Sequence, residues 1–323
     1  MLPPHAAGSI IRAILGLQRR FLLRKLFVVL LGLALSSGLC AQTQPVQASQ
    51  DLEVFLLGTA HDLHFKPESH YSLADLRTEV EALHPQLICG EITPEAYHGP
   101  MEGYFPPEAA FLSEIAPSLH ARFIPSDWRV ARAWQARAEQ FQPKDNKDKI
   151  DAISADVAKQ MAAESDPTLF DFLHTKAVAI ADHQWEVLAA DHTVSDVAMG
   201  SWHQRNRRIV ENCLAAARTD TRSIVFAYGA AHIPTLQRQL AARGIKAKIA
   251  DRRFVPAGMG TVPPSVVARW RRNRDNLIAI RDRKIAASRD SLDKLKDSHR
   301  IEDLELALKT YGAAPEKNAA EKK

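Results

Sequence analysis

Cysteine is scarce in this chain of 323 residues, with three in all. One of them, Cys40, falls in an N-terminal segment that reads as a cleaved signal. The remaining pair, Cys89 and Cys213, cannot frame a disulfide scaffold. Stability must then come from a packed core, and the length suffices for one large domain or two small ones. The two thiols are able to pair in an oxidising compartment, but two separate buried thiols is the plainer reading. Long hydrophobic runs are scarce as well. The stretch Leu26 to Leu35 is too short for a permanent span, which needs about 20 apolar residues. The sequence also lacks His-Glu-x-x-His, Gly-x-Ser-x-Gly and a phosphate-cradling glycine loop. Those absences argue against common zinc proteases, α/β-hydrolases and P-loop enzymes.

An excess of basic charge is only nominal. The whole chain carries a formal charge of +4. Residues 1–41 hold Arg12, Arg19, Arg20, Arg24 and Lys25 and no acidic residue; without those five, 37 basic residues face 38 acidic ones. Nucleic-acid binding, which draws on a basic face, is therefore not expected. The basic cluster, the apolar run and the small residues after it form the n-region, h-region and cleavage region of a secretory signal peptide. Cleavage is expected after Ala41. Bulky Leu39 argues against lipidation of Cys40. The protein is thus expected to be secreted or periplasmic, with no permanent membrane span after cleavage.

What the sequence does contain is a doubled unit. Val54-Phe55-Leu56-Leu57-Gly58-Thr59-Ala60-His61 and Ile224-Val225-Phe226-Ala227-Tyr228-Gly229-Ala230-Ala231-His232 are each an apolar run that ends at glycine, with histidine three residues on. Such runs read as strands buried on both faces. The glycine is expected to permit a sharp exit from the strand. Each histidine then lies beyond the carboxyl end of its strand, where open α/β sheets bind ligands.

The intervening pattern is α/β. Residues 42–50 read as a flexible leader and 51–310 as a single domain. Strands are expected at 52–57, 86–89, 121–124, 223–228 and 245–249. Ser72 and Asp75 form a variant capping box opening a helix with Leu73, Leu76, Val80 and Leu83 at helical spacing. Residues 92–107, with four prolines, read as an irregular loop at the rim. A helix is expected around 108–116. Residues 128–217 hold no convincing strand and read as a large helical insert, with Lys144 to Lys149 as a solvated turn. Pro234 opens a helix that Gly244 stops. Residues 264–310 read as C-terminal helices docked through Trp270, Leu277, Ile280, Leu292 and Leu295, and 311–323 as a disordered tail. The expected fold is a mostly parallel central sheet flanked by helices.

Strand ends in this order deliver His61, Glu91, Asp127 and His232 to one edge. Two imidazoles and a carboxylate suit a divalent metal with open positions. They equally suit metal-free chemistry, with one histidine as base and the other as acid or oxyanion donor. Glu91, ending a buried strand, needs a partner, and Arg205 is a candidate. His64 is a further candidate ligand. Asp127 has a simpler reading as the cap of a helix beginning at Trp128. Tyr228 reads as core, and the other histidines as surface or packing residues.

Gly58-Thr59-Ala60-His61, Glu91 and Gly229-Ala230-Ala231-His232 followed by Ile233-Pro234 resemble the TraB/PrgY/GumN group, which includes the Tiki proteins. That group sits in a larger set with erythromycin esterase and the ChaN proteins. Gln204-Arg205-Asn206-Arg207-Arg208 resembles the Arg-Asn helix of the group, with Gln204 where an acidic residue is common. The resemblance spans about 52–250, in these four patches. It implies an α/β sheet with His61, Glu91 and His232 in the site and Arg205 beside it. From the Tiki members it implies metal-dependent proteolysis, with His61, Glu91 and His232 holding Mn or Co; the ligand types by themselves also suit Zn. From the erythromycin esterases it implies a histidine acting as base on water. The expected activity is hydrolysis of a peptide or small-molecule ester by water activated by a metal or by His61. Glu91 is then ligand or base, His232 second ligand or acid, and Arg205 a stabiliser of negative charge. The alternative is a non-catalytic metal or haem carrier of the ChaN type.

Overall fold

The computed structural model describes residues 52–99, 106–162, 168–189, 194–286 and 291–312. The expected signal peptide and flexible leader, residues 100–105 of the rim loop and the expected tail from 313 lie outside them.

Five parallel strands form one sheet: β1 (Glu53–Thr59), β2 (Leu87–Gly90), β3 (Arg122–Pro125), β4 (Ser223–Gly229) and β5 (Ala247–Ile249), in the order β3-β2-β4-β1-β5. The central strands are buried on both faces, as their unbroken apolar sequences require. All the strands point the same way, so the carboxyl ends of β1, β2 and β4 sit side by side at one rim.

Helix α1 (Leu73–Ala82) carries the expected capping box, with Ser72 Oγ accepting from the Asp75 amide and Asp75 accepting from the Ser72 amide. It buries Leu73, Leu76 and Val80 against the core. Its acidic residues have a second use: Asp75 accepts from the Ala257 amide and Glu79 from the Arg253 amide, pinning the segment after β5. The rim stretch after β2 is not wholly irregular, because Thr93 caps a short helix α2 (Pro94–His98). Next come α3 (Pro107–Ile115) and β3.

The insert between β3 and β4 is helical, as its sequence predicts: α4 (Arg132–Phe141), α5 (Lys144–Ala162), α6 (Leu169–His174), α7 (Lys176–Ala189), α8 (Val194–Ala198) and α9 (Trp202–Ala215). Lys144 to Lys149, expected as a turn, is instead the first part of α5. Pro143 precedes the helix and accepts from the Asn146 amide, and a Lys144–Asp148 pair at i,i+4 supports the opening turn.

α10 (Ile233–Ala241) carries Pro234 in its first turn and is followed by Gly244 at φ 73°, the left-handed stop. α11 (Pro264–Ala286) and α12 (Ser291–Tyr311) complete the chain. Trp270, Leu277 and Ile280 are buried as expected. The side chains of Leu292 and Leu295 lie outside the described residues. Trp270 Nε1 donates to the Pro107 carbonyl at 2.9 Å, so α11 fixes the start of α3. Phe65 packs edge-on to Trp270 and Tyr311, tying the turn after β1 to both C-terminal helices.

Cys89 and Cys213 are joined in a disulfide, which overturns the expectation of two separate thiols. The cysteines are 124 residues apart in sequence but end up adjacent where α9 crosses β2. A cross-link of this kind is worth about 2–4 kcal/mol. Here it anchors the helix bearing Arg205 to the strand that ends one residue before Glu91.

Candidate active site

The two glycines of the doubled unit do not act through unusual dihedrals. Gly58 lies inside β1, and Gly229 has φ −46° and ψ 134°, open to any residue. Neither is among the residues of positive φ; in the first unit it is His61 itself that turns the chain, at φ 51°. The glycines instead admit side chains. A Cβ on Gly229 would lie 2.8 Å from His61 Nε2 and 3.4 Å from Glu91 Oε2. A Cβ on Gly58 would meet Ala230, His174 and Ile233 at 3.1–3.2 Å. The expectation of glycine as a sharp exit is corrected to glycine as room for neighbours.

His61 and Glu91 therefore meet over Gly229, and the Gly229 amide donates to Glu91 Oε2 at 2.9 Å. His232 Nε2 lies 3.8 Å from Glu91 Oε1. All three sequence candidates share one site, with Glu91 between the imidazoles.

The imidazoles have opposite surroundings. His61 Nδ1 lies 2.7 Å from Oε1 of Glu108, a buried carboxylate at the start of α3, and the His61 side chain is 34% exposed. Burial by itself would lower the His61 pKa. The charge and hydrogen bond of Glu108, with the charges of Glu91 and of Asp303 on α12, outweigh it and raise the pKa to about 9. Glu108 is held below the usual carboxylate range: burial opposes its charge, but the His61 charge prevails.

His232 is buried against the Trp202 ring, with centroids 4.1 Å apart. Its Nδ1 lies 2.7 Å from Asn206 Oδ1. The Asn206 amide nitrogen donates to the Trp202 carbonyl at 2.8 Å, which leaves Oδ1 to accept from His232. His232 thus carries its proton on Nδ1 and presents an unprotonated Nε2 toward Glu91. Burial, then the charges of Arg205, Arg129 and His61, hold its pKa well below the usual histidine value.

A buried ion-pair network supports this arrangement. Arg205 on α9 donates from Nη2 to Glu91 Oε1 at 2.8 Å and from Nε to Asp127 Oδ1 at 2.7 Å. Arg129 bridges the same two carboxylates, at 3.2 Å to Glu91 and 2.7 Å to Asp127. Asp127 is held below its ordinary pKa: burial raises it, but the Arg129 and Arg205 charges outweigh that. Asp127 caps no helix at Trp128, because the chain stays irregular until α4. It accepts the Trp128 amide and anchors the two arginines.

His64 is structural: Nε2 accepts from the Ala60 amide and Nδ1 bonds the Tyr71 carbonyl, at 2.9 and 2.8 Å. Tyr228 is core, its hydroxyl bonded to Ser126 and to the Gly90 carbonyl. His174 packs beneath the rim, where Nε2 accepts from the Gly58 amide and burial lowers its pKa to about 4.

Sequence reasoning missed Glu108, Arg129 and the role of Asn206. Glu108 follows Pro106-Pro107 at a helix start, where an acidic residue has the ordinary reading of dipole compensation. Only the fold shows it to be buried. Asn206 stands beside Arg205 in the helix that the sequence singled out, one position from being assigned.

A divalent cation fits this arrangement poorly. Glu91 Oε1 already receives two guanidinium groups and Oε2 a backbone amide, so a metal there would face two fixed positive charges. Among the described residues no group of three or more His, Cys, Asp or Glu side chains is arranged to hold a metal ion.

Comparison of the chain with protein-family models, with curated proteins and with solved structures finds no match.

Proposed function

We propose that the chain is an exported hydrolase of TraB/Tiki-like type that cleaves an ester or peptide bond with water and without a resident metal. One observation carries the reading: two imidazoles flank the same carboxylate and engage unlike partners through Nδ1, His61 a buried carboxylate and His232 a carboxamide, in surroundings that push their pKa values in opposite directions. Titratable groups pushed apart in one site are the pattern of an acid–base pair.

His232 Nε2 accepts a proton from the attacking water. His61, an imidazolium at neutral pH, donates to the leaving group. Glu91 sits between them and keeps both rings facing the same space. Arg205 holds Glu91 and Asp127 in place, with its Nε and Nη2 engaged by the two carboxylates. Once the products leave, the proton gained by His232 passes through water in the shared space to His61, which returns both rings to their starting forms. The buried Cys89–Cys213 link supports export, because such bonds persist in oxidising compartments.

The test is a pH–rate profile with chromogenic ester and peptide substrates. A base that is neutral below pH 6.5 and an acid that titrates near 9 give a plateau through neutrality and a decline through about pH 9. His61→Ala and His232→Ala should each cost orders of magnitude in kcat, without additivity, and a chelator should have no effect. A rate that climbs toward pH 9 would instead make His61 the base. Chelator inhibition reversed by Mn or Co would restore the metal reading. A haem absorption band from the isolated protein would favour the carrier.

A further inference from the structure

The sequence pattern treats the two histidines alike, and the reading above gives them different jobs. The residues on their far nitrogens explain the difference. We propose that Glu108 and Asn206 are positioning residues that divide the roles, a carboxylate committing His61 to the proton-bearing form and a carboxamide committing His232 to the proton-accepting form. The proposal rests on the acid–base reading of the site for its functional meaning, but its structural content stands independently.

The geometry is parallel on the two sides. Each partner contacts Nδ1 of its imidazole at 2.7 Å, each is buried, and each comes from a helix opposite a strand end: Glu108 from α3 and Asn206 from α9. Both contacts leave the Nε2 edge of the ring toward Glu91. The chemistry of the partners is not parallel. Glu108 is 1% exposed, and its Oε2 is buried with no hydrogen-bond partner. An ionised carboxylate in such a place is costly unless a cation compensates it, and His61 is the group that contacts it. Asn206 brings no charge. Its amide is clamped by the Trp202 carbonyl, so only its oxygen faces His232, and a ring pinned by one neutral acceptor keeps one proton on Nδ1.

The wider surroundings agree. Glu91, Asp303 and the directly bonded Glu108 act on His61 as negative charges. Arg205, Arg129 and His61 act on His232 as positive ones. The partners thus reinforce a field that already separates the rings.

Nitrogen-15 NMR of the histidine rings in the exported chain at neutral pH tests this without any substrate. The proposal expects His61 with both nitrogens protonated and His232 neutral with its proton on Nδ1. Glu108→Gln should convert His61 to a neutral ring and leave the His232 pattern in place. Asn206→Asp should move His232 toward the doubly protonated pattern and leave His61 unchanged. Where a hydrolytic substrate is in hand, Glu108→Gln should lower kcat by about 100-fold or more with KM little changed. A wild-type His61 that is neutral, a wild-type His232 protonated on Nε2, or a Glu108→Gln protein with an unaltered His61 pattern would overturn the assignment. The wild-type spectrum alone decides if either variant fails to fold. Absence of any hydrolysis with the expected ring patterns would sink the hydrolase reading and leave the division of the rings standing.

Discussion

The two strand–Gly-x-x-His units look like copies in sequence, yet they are offset by one residue in the sheet. Gly58 pairs with Tyr228, and Gly229 pairs with Thr59. Side chains alternate between faces along a strand, so the one-residue slip sets the two glycines toward opposite faces. Gly229 then opens onto the rim and receives His61 and Glu91, while Gly58 opens onto packed neighbours and receives Ala230, His174 and Ile233. The histidines diverge accordingly: His61 turns the chain at positive φ and stays partly exposed, and His232 leads directly into α10 and is buried. The same Gly-x-x-His spacing therefore supplies one glycine beside His61 and Glu91 and one glycine within the packing, and one partly exposed imidazole beside one buried imidazole.

The largest effect that would sharpen this contrast lies in the partners of the two sides. Arg205→Met strips a buried guanidinium from Glu91 and Asp127, leaving Arg129 to compensate both. Removing one member of a buried charged network costs about 3–5 kcal/mol. On the other side, Glu108→Gln removes a charge but preserves shape, and should cost about 1–2 kcal/mol. Chemical denaturation of the two variants against wild type measures both. Equal losses would mean that the His232 side is not the more deeply charged half.

The glycines give a crossed prediction of intermediate size. In Gly229→Ala the new methyl meets the ring of His61 at 2.8 Å, the movable end of a partly exposed side chain. Stability should change by less than about 1 kcal/mol, while displacement of the ring by about 1 Å should lower the rate by about 100-fold. In Gly58→Ala the methyl meets packed atoms on α10, on the turn before it and on α6, and overpacking costs about 1–3 kcal/mol. Activity per folded molecule should persist. A Gly58→Ala protein that is stable but inactive would reverse the roles assigned to the two units.

Much of this was legible in the sequence because the three central strands are buried on both faces. Continuous apolar runs such as Val54–Leu57 and Ile224–Ala227 read as central strands, and with three further expected strands between helical segments they imply a parallel sheet. From that topology, His61, Glu91 and His232 follow as neighbours. What was not legible depends on residues remote in the chain. Glu108 reads as a helix-start acid until α11 and α12 dock around α3. The Cys89–Cys213 bond needs α9 laid across β2. The one-residue offset of the glycines is a matter of register, which sequence spacing does not carry. Lys144 to Lys149 was misread because a dense alternation of charges suits an exposed helix as well as a turn.

The smallest effect is the pH dependence of stability, and it addresses the two imidazoles directly. His61 has a folded pKa raised to about 9 against an unfolded value near 6.5. Its contribution to stability is fully present below about 6.5 and is lost as pH rises through about 9. His232 has a folded pKa well below 6.5, so the unfolded chain takes up its proton first. Stability is then lost as pH falls below about 6.5, and buried His174 and His64 act in the same direction. Together these groups place the histidine-linked maximum near pH 6.5, with the alkaline slope belonging to His61 and the acid slope shared. Thermal melts from pH 5 to pH 10 should show His61→Ala flattening the alkaline limb alone. His232→Ala should reduce the acid limb without abolishing it, because His174 and His64 remain. An alkaline limb unchanged by His61→Ala would mean that Glu108 does not hold a cation at that ring, and the two histidines would then differ in burial but not in charge.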